Sequence, residues 1–152
     1  MFEDIVKRIK AIERELDILK SFDVPFKSPI LFDLPLTNTA FDGDSFSTLA
    51  ATALDISTFT NAAGSTVPPN ARGVIVRLQS RDSAAWGTGD LYVAVGPTAA
   101  YFYQLTCRCF GGDVWNNASG LCACINRTIY YRVLASGGNT EDIYIQVLGY
   151  WL

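Results

Sequence analysis

The chain has no histidine. That absence removes Ser-His-Asp and Cys-His catalysis, histidine metal ligation and the usual proton shuttle near neutral pH. Also missing are a G-x-S-x-G elbow, a P-loop and a dinucleotide-binding glycine fingerprint. Lysine does not occur after Lys27, and the remaining 125 residues carry only six arginines and nine acids. This charge pattern leaves no basic footprint for DNA or RNA. No apolar run is long enough to span a bilayer. The start, Met1-Phe2-Glu3-Asp4, lacks the basic and apolar stretch of a secretory signal. The expectation is a chain made in a cytoplasm, with no enzymatic activity, cofactor, metal site, nucleic-acid partner or membrane insertion.

What is present begins with a heptad repeat. Phe2, Ile9 and Leu16 occupy one core position, and Ile5, Ile12 and Leu19 the other. The spacing alternates between three and four residues, the mark of a coiled coil. Isoleucine at both core positions of the central heptad disfavours two strands and favours three or four. Arg8 is placed to reach Glu13 of a neighbouring helix, and Glu15 to reach Lys20, as in a parallel bundle. Three heptads are too short to be stable alone, so contacts elsewhere must help. A single amphipathic helix lying on its own domain is the competing reading, and Val6, Ile18 and Phe22, outside the stripe, keep it open.

The domain plan is a helix over 1–22, a stiff proline-containing linker over 23–29, and a head over 30–152. Asp23-Val24-Pro25 ends the helix, because the residue before proline is pushed out of the helical region. The head is expected to be mainly β, an antiparallel β-sandwich or jelly roll, since many short apolar-alternating runs are separated by Gly, Pro, Asn and Asp. Such runs are Val74 to Ser80, Leu91 to Val95, Tyr101 to Phe110, Leu121 to Ile125, Thr128 to Ala135 and Asp142 to Leu152. In the last, Ile143, Ile145, Val147 and Trp151 share one face, and Tyr144, Gln146, Leu148 and Tyr150 the other. Both faces are bulky and largely apolar, which predicts a central strand buried on both sides. Asp55-Ile56-Ser57 has the form of a capped helical turn.

The four cysteines form two C-x-C pairs, Cys107/Cys109 and Cys122/Cys124. If the intervening segment is a hairpin loop, Cys107 faces Cys124 and Cys109 faces Cys122. Two cross-strand disulfides and four buried thiols are then equally consistent with the spacing. A four-thiolate metal site fits less well, because C-x-C on flat strands presents its sulfurs poorly to a single ion.

Candidate ligand contacts are few. Aromatic and polar side chains that suit a sugar are Arg77, Arg81, Asp82, Trp86, Tyr101, Tyr103 and, best placed, Trp115 in the segment between the cysteine pairs. Arg81-Asp82 and Glu141-Asp142 read as polar turn pairs, and the tyrosines as core or interface. Asp42-Gly-Asp44-Ser is a fragment of a calcium loop without the rest of the pattern, and reads as a polar turn.

The segment Arg8-Ile-Lys-Ala-Ile-Glu13 resembles a short trimerisation signature, which implies a parallel three-stranded coil. With the phrases R-L-Q-S-R-D-S (77–83), I-Y-Y-R-V (129–133) and V-L-G-Y-W-L (147–152), the chain as a whole resembles trimeric phage fibre and head-decoration proteins. The aromatic C-terminal strand is similar to those of C1q and tumour-necrosis-factor-like heads. The resemblance implies a homotrimer on a virion surface, joined to other virion proteins through the coil and displaying a head that covers the particle or binds host glycans. A host-encoded extracellular filament or adhesive trimer at the cell surface, and a lectin-like binding module, are the alternatives.

Overall fold

The computed structural model describes residues 28–41, 50–83, 91–110, 112–135 and 141–152, together with Arg8, Lys10, Ile12 and Glu13. The last four are helical and exposed. Phe2, Ile5, Ile9, Leu16, Leu19, the linker up to residue 27, Asp42, Asp44 and Trp86 lie outside the described residues.

The head is mainly β. Its strands are β1 (Ile30–Thr37), β2 (Thr52–Asp55), β3 (Gly73–Asp82), β4 (Tyr92–Gly96), β5 (Leu105–Arg108), β6 (Asn116–Ala123), β7 (Thr128–Leu134) and β8 (Glu141–Trp151). They form two antiparallel four-stranded sheets, sheet I in the order β1-β8-β3-β6 and sheet II in the order β2-β7-β4-β5. Short 3-10 turns at Thr39–Phe41 and Ile56–Thr58 interrupt the chain. In the second, Asp55 caps the turn as expected, its Oδ1 accepting from the Ser57 N–H at 2.8 Å.

The sheets pack face to face as a sandwich because each strand alternates apolar and polar positions. Val74, Val76 and Leu78 of β3 and Ile143, Ile145 and Val147 of β8 supply the inner face of sheet I. Leu54, Val93, Val95, Ile129 and Val133 supply that of sheet II, and all belong to one buried cluster. The central position of β8, read from its two bulky faces, is correct, since it lies between β1 and β3; burial on both sides is not, because Tyr144, Gln146 and Leu148 are only partly buried where the outer face meets no second layer among the described residues.

The period of two fails at its end. Ile75 pairs with Gly149, yet the next residue, Val76, pairs with Val147. Leu148 is the extra residue of a bulge, and beyond it the faces exchange. Tyr150, paired with Val74, therefore turns toward the core, and Trp151, paired with Gly73, does not share the face of Ile143. A second irregularity lies in β1, where residues 31 and 36 are aligned with Gly149 and Val147, so four residues bow out of the ladder. Gly149 permits the close approach there, since a Cβ would lie 2.6 Å from the Ile30 carbonyl oxygen.

Three expected features are different. The run 101–110 is not one strand: only Leu105–Arg108 is extended, and residues 97–104 form turns. Arg81-Asp82 and Glu141-Asp142 are not turns but the paired ends of β3 and β8. The cysteine pairs do not lie on neighbouring strands, because β5 belongs to sheet II and β6 to sheet I. No helix among the described residues is long and apolar enough to cross a membrane.

Candidate functional site

The outer face of sheet I carries a ladder of planar polar and aromatic side chains. On it, Arg77 stands between Ser119 and Gln146, and Gln79 between Asn117 and Tyr144. Arg77 Nε donates to Gln146 Oε1 at 2.8 Å, and Gln79 Nε2 donates to Asn117 Oδ1 at 2.8 Å. One rung further, Arg81 pairs with Asp142, its Nε donating to Oδ2 at 2.7 Å and its Nη2 closing the same contact. Asp113 lies 3.2 Å from Arg81 Nη1 on the other side. A hydrogen bond to Asp142, and then the charges of Asp142 and Asp113, push the Arg81 guanidinium above its usual value, so it stays cationic.

Trp115 completes this end. It is not at the tip of a polar loop; it immediately precedes β6 and continues the outer face of that strand. Its ring centroid lies 5.2 Å from that of Tyr144, and the Arg81 guanidinium carbon lies 4.9 Å over the indole. Trp115 as a whole remains 36% exposed. A partly exposed aromatic side chain thus stands beside paired charges and amides at this end of the sheet.

On the inner face, the same two strand ends do something else. Asp82 and Glu141 are cross-strand partners and both point inward, 2% and 0% exposed. Ser80 Oγ makes a long 3.5 Å contact with Glu141 Oε1, and Oε2 has no hydrogen-bond partner. Burial first, and the charge of Asp82 second, push the Glu141 carboxyl up to about 8. At neutral pH this group carries its proton. Sequence reading missed this pair because adjacent acids ordinarily signal a solvated turn.

The other singled-out aromatics gather elsewhere. Gly96 ends β4 where a Cβ would lie 1.8 Å from the Tyr101 carbonyl oxygen, so only glycine lets segment 97–104 fold back so tightly. Arg132 of β7 lies 5.3 Å over the Phe102 ring and donates to the Tyr103 hydroxyl at 3.2 Å. Tyr101 and Tyr103 are thereby left exposed and not in the core. They line an open groove of about 500 Å³ with Pro97, Ala100, Gln104 and Ala123.

All four cysteines are buried thiols, none of them in a disulfide. Burial, reinforced by the neighbouring thiol of the same pair, pushes Cys107 up to about 11 and Cys122 up to about 12. Such thiols are poor nucleophiles and poor metal ligands at neutral pH. Among the described residues no group of three or more Cys, Asp or Glu is arranged to hold a metal ion. Comparison with family models and with curated proteins finds no match for this chain.

Proposed function

We propose that the chain is a non-enzymatic, homotrimeric display protein of the phage-fibre or head-decoration kind. A three-stranded coil over residues 2–19 aligns three heads and joins them to other virion proteins, and the heads stand at the particle surface. The observation that carries this reading is Ile12: it is helical, it sits at a heptad core position, and 62% of it is open in the single chain. An isoleucine left open at a heptad core position is what one chain of a coiled coil presents to its partners, and the g-to-e charge pattern makes the fitting partner a parallel copy of the same helix.

The strand order supports the jelly-roll form of the sandwich, because each sheet draws its strands alternately from the two halves of the chain. The Trp115–Tyr144–Arg81 end of sheet I is the part of the head suited to a host glycan. Trp115 is partly exposed there, and its polar neighbours are held in place by one another.

Native mass by light scattering tests the assembly. The full chain is expected near three times 16.6 kDa, and the Ile9→Asp/Ile12→Asp variant is expected to lose mass or trimerise more weakly. A full-length monomer at micromolar concentration overturns the trimeric reading and leaves a solitary β-sandwich.

A further inference from the structure

The buried acids are fastened to the outer face of sheet I by several ties. Asp82 and Glu141 form the last rung of the β3–β8 ladder, directly after Arg81 and Asp142. The Asp82 carbonyl oxygen accepts from the Asp113 N–H at 2.9 Å. Asp113 in turn reaches Arg81, and Arg81 lies over the Trp115 ring. Asn116, next to Trp115, is paired with Ser80, whose hydroxyl contacts Glu141. Arg81, Asp113 and the start of β6 are therefore all held to Ser80 or Asp82.

Glu141 itself is closed in on every side. It is fully buried, and its Oε2 has no hydrogen-bond partner. Asp82 stands opposite on β3, and Cys107 of β5 faces it from sheet II as a neutral thiol. The β4 and β7 positions of the inner face are apolar, Val93, Val95, Ile129 and Val133. Behind it, on the outer face, are Arg81, Asp142 and Asp113, one cation and two anions. No cation among the described residues is buried beside it.

An ionised Glu141 in this place has only water to turn to, and water reaches it when the end rung opens. A terminal rung opens at less cost than the middle of a ladder. In the opened rung the carboxyl titrates near its ordinary 4.5, and in the closed one near 8. Each pH unit between those values therefore favours the opened rung about tenfold, and the gain ends above the closed value.

We propose that the Asp82–Glu141 rung is a pH-operated latch on the outer face: when Glu141 gives its proton to solvent, the ends of β3 and β8 part, and Arg81, Asp113 and Trp115 lose their arrangement together. The face is assembled at mildly acid pH, and its opened form gains as pH rises toward 8. The latch acts on the face proposed above for a glycan, and it rests on that reading only for what the face binds.

Hydrogen exchange of the full chain, followed by NMR between pH 5.5 and 7.5, tests it, each rate being divided by the intrinsic rate at that pH. The protected amides of residues 80–82, 141 and 142, and that of Asp113, are expected to open at least tenfold more often than Val76 and Ile145 at the centre of the ladder. Their opening constant is expected to rise about tenfold per pH unit. Residues 73–75 and 149–151, at the other end, show no rise, because opening there leaves Glu141 buried. Glu141→Gln abolishes the rise. A near end without the rise, or a rise that persists in Glu141→Gln, overturns the latch. So does a rise that Asp113 does not share, since the outer face is then uncoupled, and so do equal opening constants at the near end and the centre, since only global unfolding then reaches Glu141. The comparison of the two ends within the wild-type chain decides the matter without the variant. No glycan enters the measurement: an empty glycan array removes the reading of the face and leaves the latch, and a failed latch leaves the glycan site.

Discussion

Asp82 and Glu141 face each other across the central strands β3 and β8 on the buried side of the sandwich, while their chain neighbours Arg81 and Asp142 form an ion pair on the outside. Two consecutive residues on each strand thus place like groups together inside and opposite charges together outside, a consequence of the two-residue period alone. Two ionised carboxylates would be costly in that interior, and burial resolves the conflict by keeping a proton on Glu141.

That proton makes stability depend on pH. An ordinary glutamate titrates at 4.5, and in the folded head the Glu141 carboxyl is held up to about 8. The folded state therefore binds this proton more tightly than the unfolded state. Its contribution is fully present below about 4.5, declines as pH rises through the window from 4.5 to 8, and is gone above the folded value. Glu141→Gln, which mimics the protonated acid, is expected to flatten this slope and to raise stability at pH 8 by roughly 2–4 kcal/mol. Urea midpoints from pH 5 to 9 check it. Identical slopes for wild type and variant would refute the assignment.

Trp115 is expected to matter twice. Trp115→Ala removes the tilted pair with Tyr144, a loss of roughly 1 kcal/mol, which leaves the head folded. If the outer face of sheet I holds a glycan, the same change abolishes retention on a glycan array, because the stacking surface is gone. Unchanged glycan binding in a folded variant would remove this site from the head.

Gly96 sets the groove. A methyl group there would overlap the Tyr101 carbonyl oxygen, which is backbone and cannot rotate aside. Gly96→Ala is expected to cost about 2–3 kcal/mol and to displace Tyr101 and Tyr103. Thermal melting reads the first effect, and a change in the near-ultraviolet circular dichroism of the tyrosines reads the second. A melting temperature within a degree of wild type would show that the fold-back is looser than these contacts imply.

The alternation of β3 and β8 was readable from sequence, since Val74, Val76 and Leu78 and then Ile143, Ile145 and Val147 recur every second residue with few polar interruptions. The turn cap at Asp55 was readable because its signal is local. What escaped depends on residues far apart in the chain. Arg81-Asp82 and Glu141-Asp142 look like surface turns until strands some 60 residues apart are paired. The exchange of Tyr150 and Trp151 comes from a single bulged residue, Leu148, which hydropathy does not mark. The hairpin imagined between the cysteine pairs fails for the same reason, since the chain crosses from sheet II to sheet I between them. The Trp115 neighbourhood was half legible: the residue was singled out, but Tyr144 and Arg81 reach it only through the β3–β6 and β3–β8 pairings.

The thiols give the last prediction. Cys107, Cys109, Cys122 and Cys124 are all buried, and Cys107 and Cys122 are held far above the range in which a thiolate forms at neutral pH. The native protein is therefore expected to react with an aromatic disulfide reagent more slowly, by at least two orders of magnitude, than the unfolded chain. Under denaturing, non-reducing conditions four thiols should titrate per chain. Opening of the sandwich is then the rate-limiting step, so the native reaction rate should follow stability and slow further in Glu141→Gln at pH 8. Two thiols or none in the denatured protein would mean that disulfides form after all, and that the cysteine-bearing ends of β5 and β6 approach more closely than their assignment to separate sheets suggests. Rapid native reaction with four thiols present would instead place the β5–β6 flank among the regions that open locally.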